Sequence, residues 1–224
     1  MNKEDLKLMN EIAWEYEFKL ESGITTPGRK KLGSKFKKIQ TLLPNDLTGK
    51  SVIDIGAWDG VFSFEAEKRG ANVTAIDKQP MTEGFKFLHR ILNSNVRYKQ
   101  QAIEDFCIHA QPAFDIVLCL GVLYHVENPI IVLRKVYNLV NDNGFALIET
   151  TQINNDNLGL NQSKRPFYTF RTKLHPHNGK KETHWDTNFA GLKILLKFVG
   201  FKNIELSHRG IKQELPRMIV KAER

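Results

Sequence analysis

Cysteine is scarce: Cys107 and Cys119 are the only two in 224 residues. Two isolated thiols exclude a disulfide framework, and they cannot supply the paired cysteines of a zinc site. Long apolar runs are missing too, since no stretch approaches the roughly 20 residues that a membrane-spanning helix needs. MNKEDLKLMN at the N-terminus lacks the apolar core of a signal peptide. Neither an internal repeat nor a low-complexity tract occurs. These absences predict a globular protein in a reducing, cytoplasmic setting, with no membrane contact and no bound metal. They leave the oligomeric state open.

One further absence bears on function. GxGxxG, the dinucleotide fingerprint, is missing where a glycine turn follows the first buried strand. The stretch there is VIDIGAWDG, Val52 to Gly60, with Trp58 and Val61 in place of the second and third glycines. Val52, Ile53 and Ile55 read as a short buried strand, Gly56 and Gly60 bracket a turn, and a helix follows from about Val61. Strand, glycine turn and helix present backbone N–H groups and a helix N-terminus to a ligand in doubly wound α/β folds. Asp54 stands just before that turn. Its carboxylate would repel a pyrophosphate and favour the ammonium and sulfonium of S-adenosylmethionine (SAM). The expected cofactor is therefore SAM, bound by Asp54, Gly56, Ala57, Trp58 and Gly60, and an NAD-linked oxidoreductase is disfavoured.

Charge is unevenly spread over the chain. Of the net +8, residues 1–49 contribute +2, residues 50–150 contribute −2 and residues 151–224 contribute +8. A basic C-terminal third suits an anionic partner such as RNA or a phosphorylated metabolite. It equally suits a lysine-rich solvated surface.

Leu6, Met9, Ile12, Ala13, Tyr16 and Leu20 recur at helical spacing after Asn2, predicting a helix that ends near Ser22-Gly23. A second helix is expected over Ser34–Leu43. Alternating strands and helices then predict a parallel sheet. Strands are expected at Ser51–Ile55, Asn72–Ile76, Val96–Gln100, Phe114–Leu120 and Phe145–Thr150, and Phe201–Ser207 and Pro216–Lys221 form a final antiparallel pair. Helices are expected at Val61–Arg69, Thr82–Leu92, Pro129–Val140 and Asn188–Val199, with Asn143-Gly144 ending the third. Residues 151–185 are polar and aperiodic, as a functional lid would be. The expected organisation is a helical cap over 1–48 and a main domain over 49–224, with a substrate lid around 151–187.

Asp77 ends the second strand, 23 residues after Asp54, where an acid can accept both hydroxyls of an adenosine ribose. Lys78 adjoins it. Ala102 and Ile103 would offer backbone and an apolar wall to the adenine. FDIVLCLGVLYHVENP, Phe114 to Pro129, opens at Leu120-Gly121 into a loop carrying Tyr124 and His125. Ligands of open α/β sheets bind outside the carboxyl ends of strands, where this loop stands. Tyr124 would line the methyl-transfer cleft. His125 is a candidate general base, or else a residue that hydrogen-bonds its own loop. In the late loop His175, His177, His184, Trp185 and Asp186 stand near Arg165 and Arg171. Their readings are a substrate pocket, a plain surface loop, and a metal site whose spacing matches no specific signature.

From about Gly49 to Lys221 these motifs resemble class I SAM-dependent methyltransferases. Within that class, GITTPG before the core, GVLYHVENP and HWDTNFAGLKILLKFVGF resemble the family related to the tRNA wobble-uridine carboxymethyltransferase. The resemblance implies a Rossmann-like α/β fold with a seven-stranded, mostly parallel sheet and helices on both faces. It puts Tyr124 by the methyl-bearing sulfonium, and Thr25, Thr26, His184 and Trp185 on the acceptor side. His184 is then a second candidate base. The implied reaction moves a methyl group to oxygen or nitrogen of a small-molecule or sugar acceptor. Transfer RNA is an alternative acceptor, and a non-catalytic SAM-binding protein is a third reading.

Overall fold

A computed structural model describes residues 1–20, 22–28, 34–106, 113–153, 159–160, 163–170, 185–209 and 216–224. The chain packs as two compact units, Met1–Ala102 and Ile103–Arg224. The main sheet is seven-stranded and mostly parallel. This is the α/β class expected of the alternating pattern.

In the first unit, α1 (Lys3–Glu11) and α2 (Ser34–Leu42) precede β1 (Ser51–Ile55), α3 (Val61–Lys68), β2 (Asn72–Asp77), α4 (Glu83–Ile91) and β3 (Arg97–Gln100). The strand order is β3-β2-β1, all parallel. Val52, Ile53 and Ile55 are buried, as parallel strands covered on both faces require. Thr82 caps α4, accepting the Phe85 N–H at 3.0 Å.

The N-terminal helix is shorter than its periodicity predicts. It starts at a capping box between Asn2 and Asp5 but stops at Glu11, with Ile12 extended. Tertiary contacts override the local pattern here. The Trp14 indole is buried and donates its N–H to the Met9 carbonyl at 2.8 Å. Asp59 takes the Glu15 N–H at 2.9 Å, and Thr26 Oγ1 takes the Phe18 N–H at 2.7 Å. Those N–H groups are thereby diverted from a helical ladder, and residues 12–20 and 22–28 are irregular, with a Lys19–Thr25 bridge.

The second unit holds β4 (Phe114–Leu120), α5 (Pro129–Leu139), β5 (Val140–Thr151), β6 (Tyr168–Phe170), β7 (Trp185–Thr187), α6 (Phe189–Val199), β8 (Lys202–Arg209) and β9 (Arg217–Glu223). Its part of the large sheet runs β4-β5-β9-β8, with β5–β9 and β8–β9 antiparallel. Asn128 caps α5 and Pro129 opens it, as the sequence predicts. Asn143-Gly144 does not end that helix. The helix ends at Leu139, and Asn143 sits inside β5 with φ 64°. There the pairing slips from Phe114–Val140 to Ile116–Phe145. Asn143 thus lies in a bulge, a role that also suits left-handed backbone. Within the stretch expected to be irregular, β6 and β7 pair antiparallel, Tyr168 with Thr187 and Phe170 with Trp185. Among the described residues no helix is long and apolar enough to cross a membrane.

Candidate active site

The turn after β1 is built on alternating left-handed residues: Gly56 at φ 72°, Trp58 at 49° and Gly60 at 77°. Trp58 thus adopts a glycine-like backbone with a bulky side chain. That side chain is 44% exposed, directed away from the packed interior. It lines an open cavity of about 390 Å³ with Leu8, Ile12 and Thr82.

The amides of this turn are already engaged. Gly56 and Ala57 both donate to the Ile76 carbonyl, at 2.8 and 3.1 Å, and Gly60 donates to the Ala57 carbonyl at 2.8 Å. Trp58 donates to Asp77 Oδ2 at 3.1 Å. A pyrophosphate docks on such turns through backbone N–H groups, and here four of them have partners within the chain. The donor set fits a ligand recognised by carboxylates, not one recognised by amides.

Three buried acids surround the turn. Asp54 is 2% exposed and accepts the Ser63 hydroxyl at 2.7 Å, tying β1 to α3. Burial pushes its carboxyl up to about 6 against that hydrogen bond, and the negative charge of Asp77 adds to the rise. Such a carboxyl ionises more readily when a cation approaches. Asp59 Oδ1 accepts the Thr82 hydroxyl and Oδ2 the Glu15 N–H, both at 2.9 Å. Burial raises its carboxyl too, despite those bonds. Asp77 ends β2, and its Oδ1 accepts the Gln79 N–H at 2.9 Å. The Tyr98 hydroxyl, pushed up to about 12 by burial and by Asp77, remains a donor and bonds the Gln79 carbonyl at 2.8 Å. Lys78 is exposed and Ala102 half-buried.

In the second unit, Ile103 and Leu120 are buried, and a single helical turn, Leu123–His125, follows β4. Tyr124 is 6% exposed, and its ring centroid lies 4.2 Å from that of the half-buried His125. Gly121, at φ 86°, donates its N–H to the Glu149 carbonyl at 3.1 Å. The carboxyl end of β5 is a buried polar layer of Glu149, Thr150, Thr151 and Gln152. Thr151 Oγ1 donates to the Trp185 carbonyl at 2.9 Å, joining β5 to β7. Trp185 in turn packs on Phe170 with ring centroids 4.8 Å apart, and its indole N–H reaches the Glu127 carbonyl at 3.3 Å.

A family model described as a methyltransferase domain matches residues 29–205. The chain belongs to that methyltransferase family. S-adenosylmethionine is the cofactor that goes with this family and with the donor set of the turn. A ubiquinone biosynthesis O-methyltransferase of Aeromonas salmonicida is 35% identical over 111 residues, covering 48% of this chain and 46% of the relative. A tRNA U34 carboxymethyltransferase of Campylobacter concisus is 32% identical over 124 residues, covering 54% of this chain and 43% of the relative. The match thus spans about half the length of these relatives. Among solved structures, the N-terminal domain of EvdMO1, crystallised with SAH and D-fucose, superimposes with a TM-score of 0.72 at 18% identity. That alignment covers 100% of this chain and 97% of the other. A Burkholderia thailandensis 1,6-didemethyltoxoflavin-N1-methyltransferase aligns with a TM-score of 0.62 at 17% identity, over 79% of this chain and 72% of the other. At these identities the likeness is one of fold.

The residues predicted for the methyltransferase site fall in several places. Gly56, Ala57, Trp58, Gly60 and Asp77 share one turn system, with Asp54 beneath it. Gly121, Tyr124 and His125 share the segment after β4. Thr25 is exposed, whereas Thr26 is 1% exposed with its hydroxyl engaged by the Phe18 N–H. Arg165 is exposed, and Trp185 is half-buried on β7. Arg171, His175, His177 and His184 lie outside the described residues.

Sequence reasoning missed Asp59, whose place inside the glycine turn was the available signal. It also read Asn188 as no more than a helix start. Asn188 is fully buried: its Oδ1 accepts the N–H groups of Gly191 and Phe167, at 2.8 and 3.1 Å. Its Nδ2 donates to the carbonyls of Leu160 and Arg165, both at 2.8 Å, and of Ser163 at 3.3 Å. One amide therefore holds the segment before β6 against the start of α6. Asn188→Ala orphans these groups, and a stability loss of about 2–3 kcal/mol is expected on urea unfolding. Limited proteolysis should then cut first within 159–170. A loss below 0.5 kcal/mol in that titration, by order of magnitude, would contradict the latch.

Proposed function

We propose that this chain moves the methyl group of SAM to an oxygen or nitrogen of a small-molecule or sugar acceptor. One observation carries the cofactor side: the turn's amides are engaged within the chain while carboxylates surround it. Asp77 would hold the ribose hydroxyls, and Asp54 would act on the cationic amino acid end through its field. Ala102 and Ile103 would flank the adenine, with Leu120 and Gly121 alongside the cofactor. SAM, when bound, supplies an already activated methyl on a sulfonium leaving group. The protein's task is then mainly alignment and exclusion of water. Tyr124 would border the methyl, and His125 would take the proton from an alcohol acceptor, with His184 as second candidate. Thr25, Thr26, Arg165, Arg171, His184 and Trp185 are the proposed acceptor side.

Trp185 of the proposed acceptor side stands on β7, and Asn188 ties the segment before β6 to the start of α6. The solved relatives crystallised with D-fucose and with 1,6-didemethyltoxoflavin support a small acceptor. Transfer RNA is the second reading, supported by the +8 charge of residues 151–224 and by the tRNA-modifying relative. A cytoplasmic setting belongs to either reading.

Isothermal titration with SAM, S-adenosylhomocysteine (SAH) and NAD tests the cofactor reading, with binding expected for the first two and none for NAD. NAD binding without SAM binding overturns it. Methyl transfer to hydroxylated or amino small molecules, lost in His125→Ala while SAM still binds, tests the reaction. Full turnover by that variant removes His125 as base. Methylation of tRNA, with binding that weakens steeply as salt rises, would move the acceptor to the second reading.

A further inference from the structure

Behind Tyr124 lies a charged pair that the reaction as described does not use. Glu149 stands on β5 with a side chain 0% exposed, and Arg217 opens β9 with a side chain 19% exposed. Arg217 Nη1 is 3.4 Å from Glu149 Oε1. The guanidinium carbon of Arg217 also sits 4.3 Å from the centre of the Tyr124 ring. Gly121 locates the other oxygen. A Cβ built on that glycine would be 3.4 Å from Glu149 Oε2 and 3.5 Å from the Tyr124 hydroxyl. Carboxylate, guanidinium and phenol ring therefore form one cluster around the glycine that closes β4.

Burying two charges is costly, and an apolar pair of similar volume would often serve stability as well. A functional reason for keeping the pair follows from the cofactor's own chemistry. When the methyl leaves, the carbon–sulfur electron pair stays on sulfur, so a sulfonium becomes a neutral thioether. SAM and SAH thus differ by one positive charge at one atom. A ring stacked on a guanidinium would present positive potential to that atom unless the guanidinium is neutralised from behind.

We propose that Glu149 and Arg217 form a matched charge pair that sets the potential at the Tyr124 ring and so tunes the preference between SAM and its neutral product. The inference rests on the reading that Tyr124 borders the sulfonium. Arg217 holds the ring in place, and Glu149 cancels the charge of Arg217. Both are positioning residues, and neither touches the methyl.

The test is the ratio of dissociation constants, Kd(SAM)/Kd(SAH), measured by titration for four variants. Glu149→Gln keeps the shape and removes the negative charge that faces the guanidinium, so the ratio should rise roughly tenfold, the scale of a unit charge across partly screened protein. Arg217→Met removes the positive charge that faces the carboxylate, so the ratio should fall by a similar factor. The double variant E149Q/R217M restores neutrality and should return the ratio to near its original value. A purely structural role would weaken both ligands together and leave the ratio fixed in every variant, which overturns the proposal. Opposite expected signs keep the test decisive if one single variant fails to fold. Tyr124→Leu separates the underlying reading. If it changes neither affinity, Tyr124 is not at the cofactor and the site reading fails. If it changes them while the charge variants leave the ratio fixed, only the charge pair is lost.

Discussion

With Asp77 in its proposed ribose role, Asp77→Ala is expected to weaken SAM by at least about 100-fold, or about 2.7 kcal/mol, and SAH to the same extent. Two losses combine. A carboxylate facing both ribose hydroxyls makes charge-assisted hydrogen bonds worth roughly 1.5–3 kcal/mol each. The same carboxylate also holds the Trp58 and Gln79 N–H groups at 3.1 and 2.9 Å, so its removal loosens the turn itself. Asp77→Asn is the graded control. Its one carbonyl oxygen can satisfy only one of those two N–H groups, so an intermediate loss is expected. Because the ribose is common to both ligands, the ratio between them should not move, unlike the charge variants at Glu149 and Arg217. Titration of Asp77→Ala with SAM to an affinity within threefold of the parent would remove Asp77 from the site.

Gly60→Ala should destabilise the fold by about 3 kcal/mol in urea unfolding, even without cofactor. Gly60 starts α3 at φ 77° and ψ 13°, where an L-residue costs roughly 1 kcal/mol. Sterics add more, for a Cβ there would lie 2.6 Å from a Phe64 ring carbon and 2.7 Å from two of Phe85. Both rings are buried, 4.9 Å apart between centroids, and cannot swing clear. Overpacking of this kind costs roughly 1–3 kcal/mol. Gly49 supplies the comparison, with φ 76° and nothing within 4 Å of a Cβ. Gly49→Ala should show the conformational cost alone, near 1 kcal/mol. Equal losses in the two variants would mean that the ring contacts are not rigid.

What could be read from the sequence was local, and what escaped it was long-range. The β1 turn, the helix starts near Thr82 and Asn188, the cap at Asn128 and the strand before Gly121 follow from residue type and spacing, and the structure has them. The N-terminal helix was overextended because its apolar spacing continues past Glu11. Its backbone there is claimed by Asp59, 44 residues away, and by Thr26. Asn143-Gly144 carries the same left-handed signal whether it ends a helix or bulges a strand, so the sequence could not choose. The β6–β7 pair is three residues to a strand, too short for alternation to register. Glu149 and Arg217 are 68 positions apart, and only the antiparallel pairing of β5 with β9 brings them together.

The engaged amides after β1 have a consequence for engineering. Changing a cofactor preference is commonly approached by swapping charges, here by removing Asp54 and Asp77. In this chain such swaps would leave the N–H groups of Gly56 and Ala57 on the Ile76 carbonyl and that of Gly60 on the Ala57 carbonyl. A phosphate would meet a surface with few donors to spare, however favourable the new charge. Retargeting the site to a nucleotide would require rebuilding the backbone path between β1 and α3, a change of loop and not of residues.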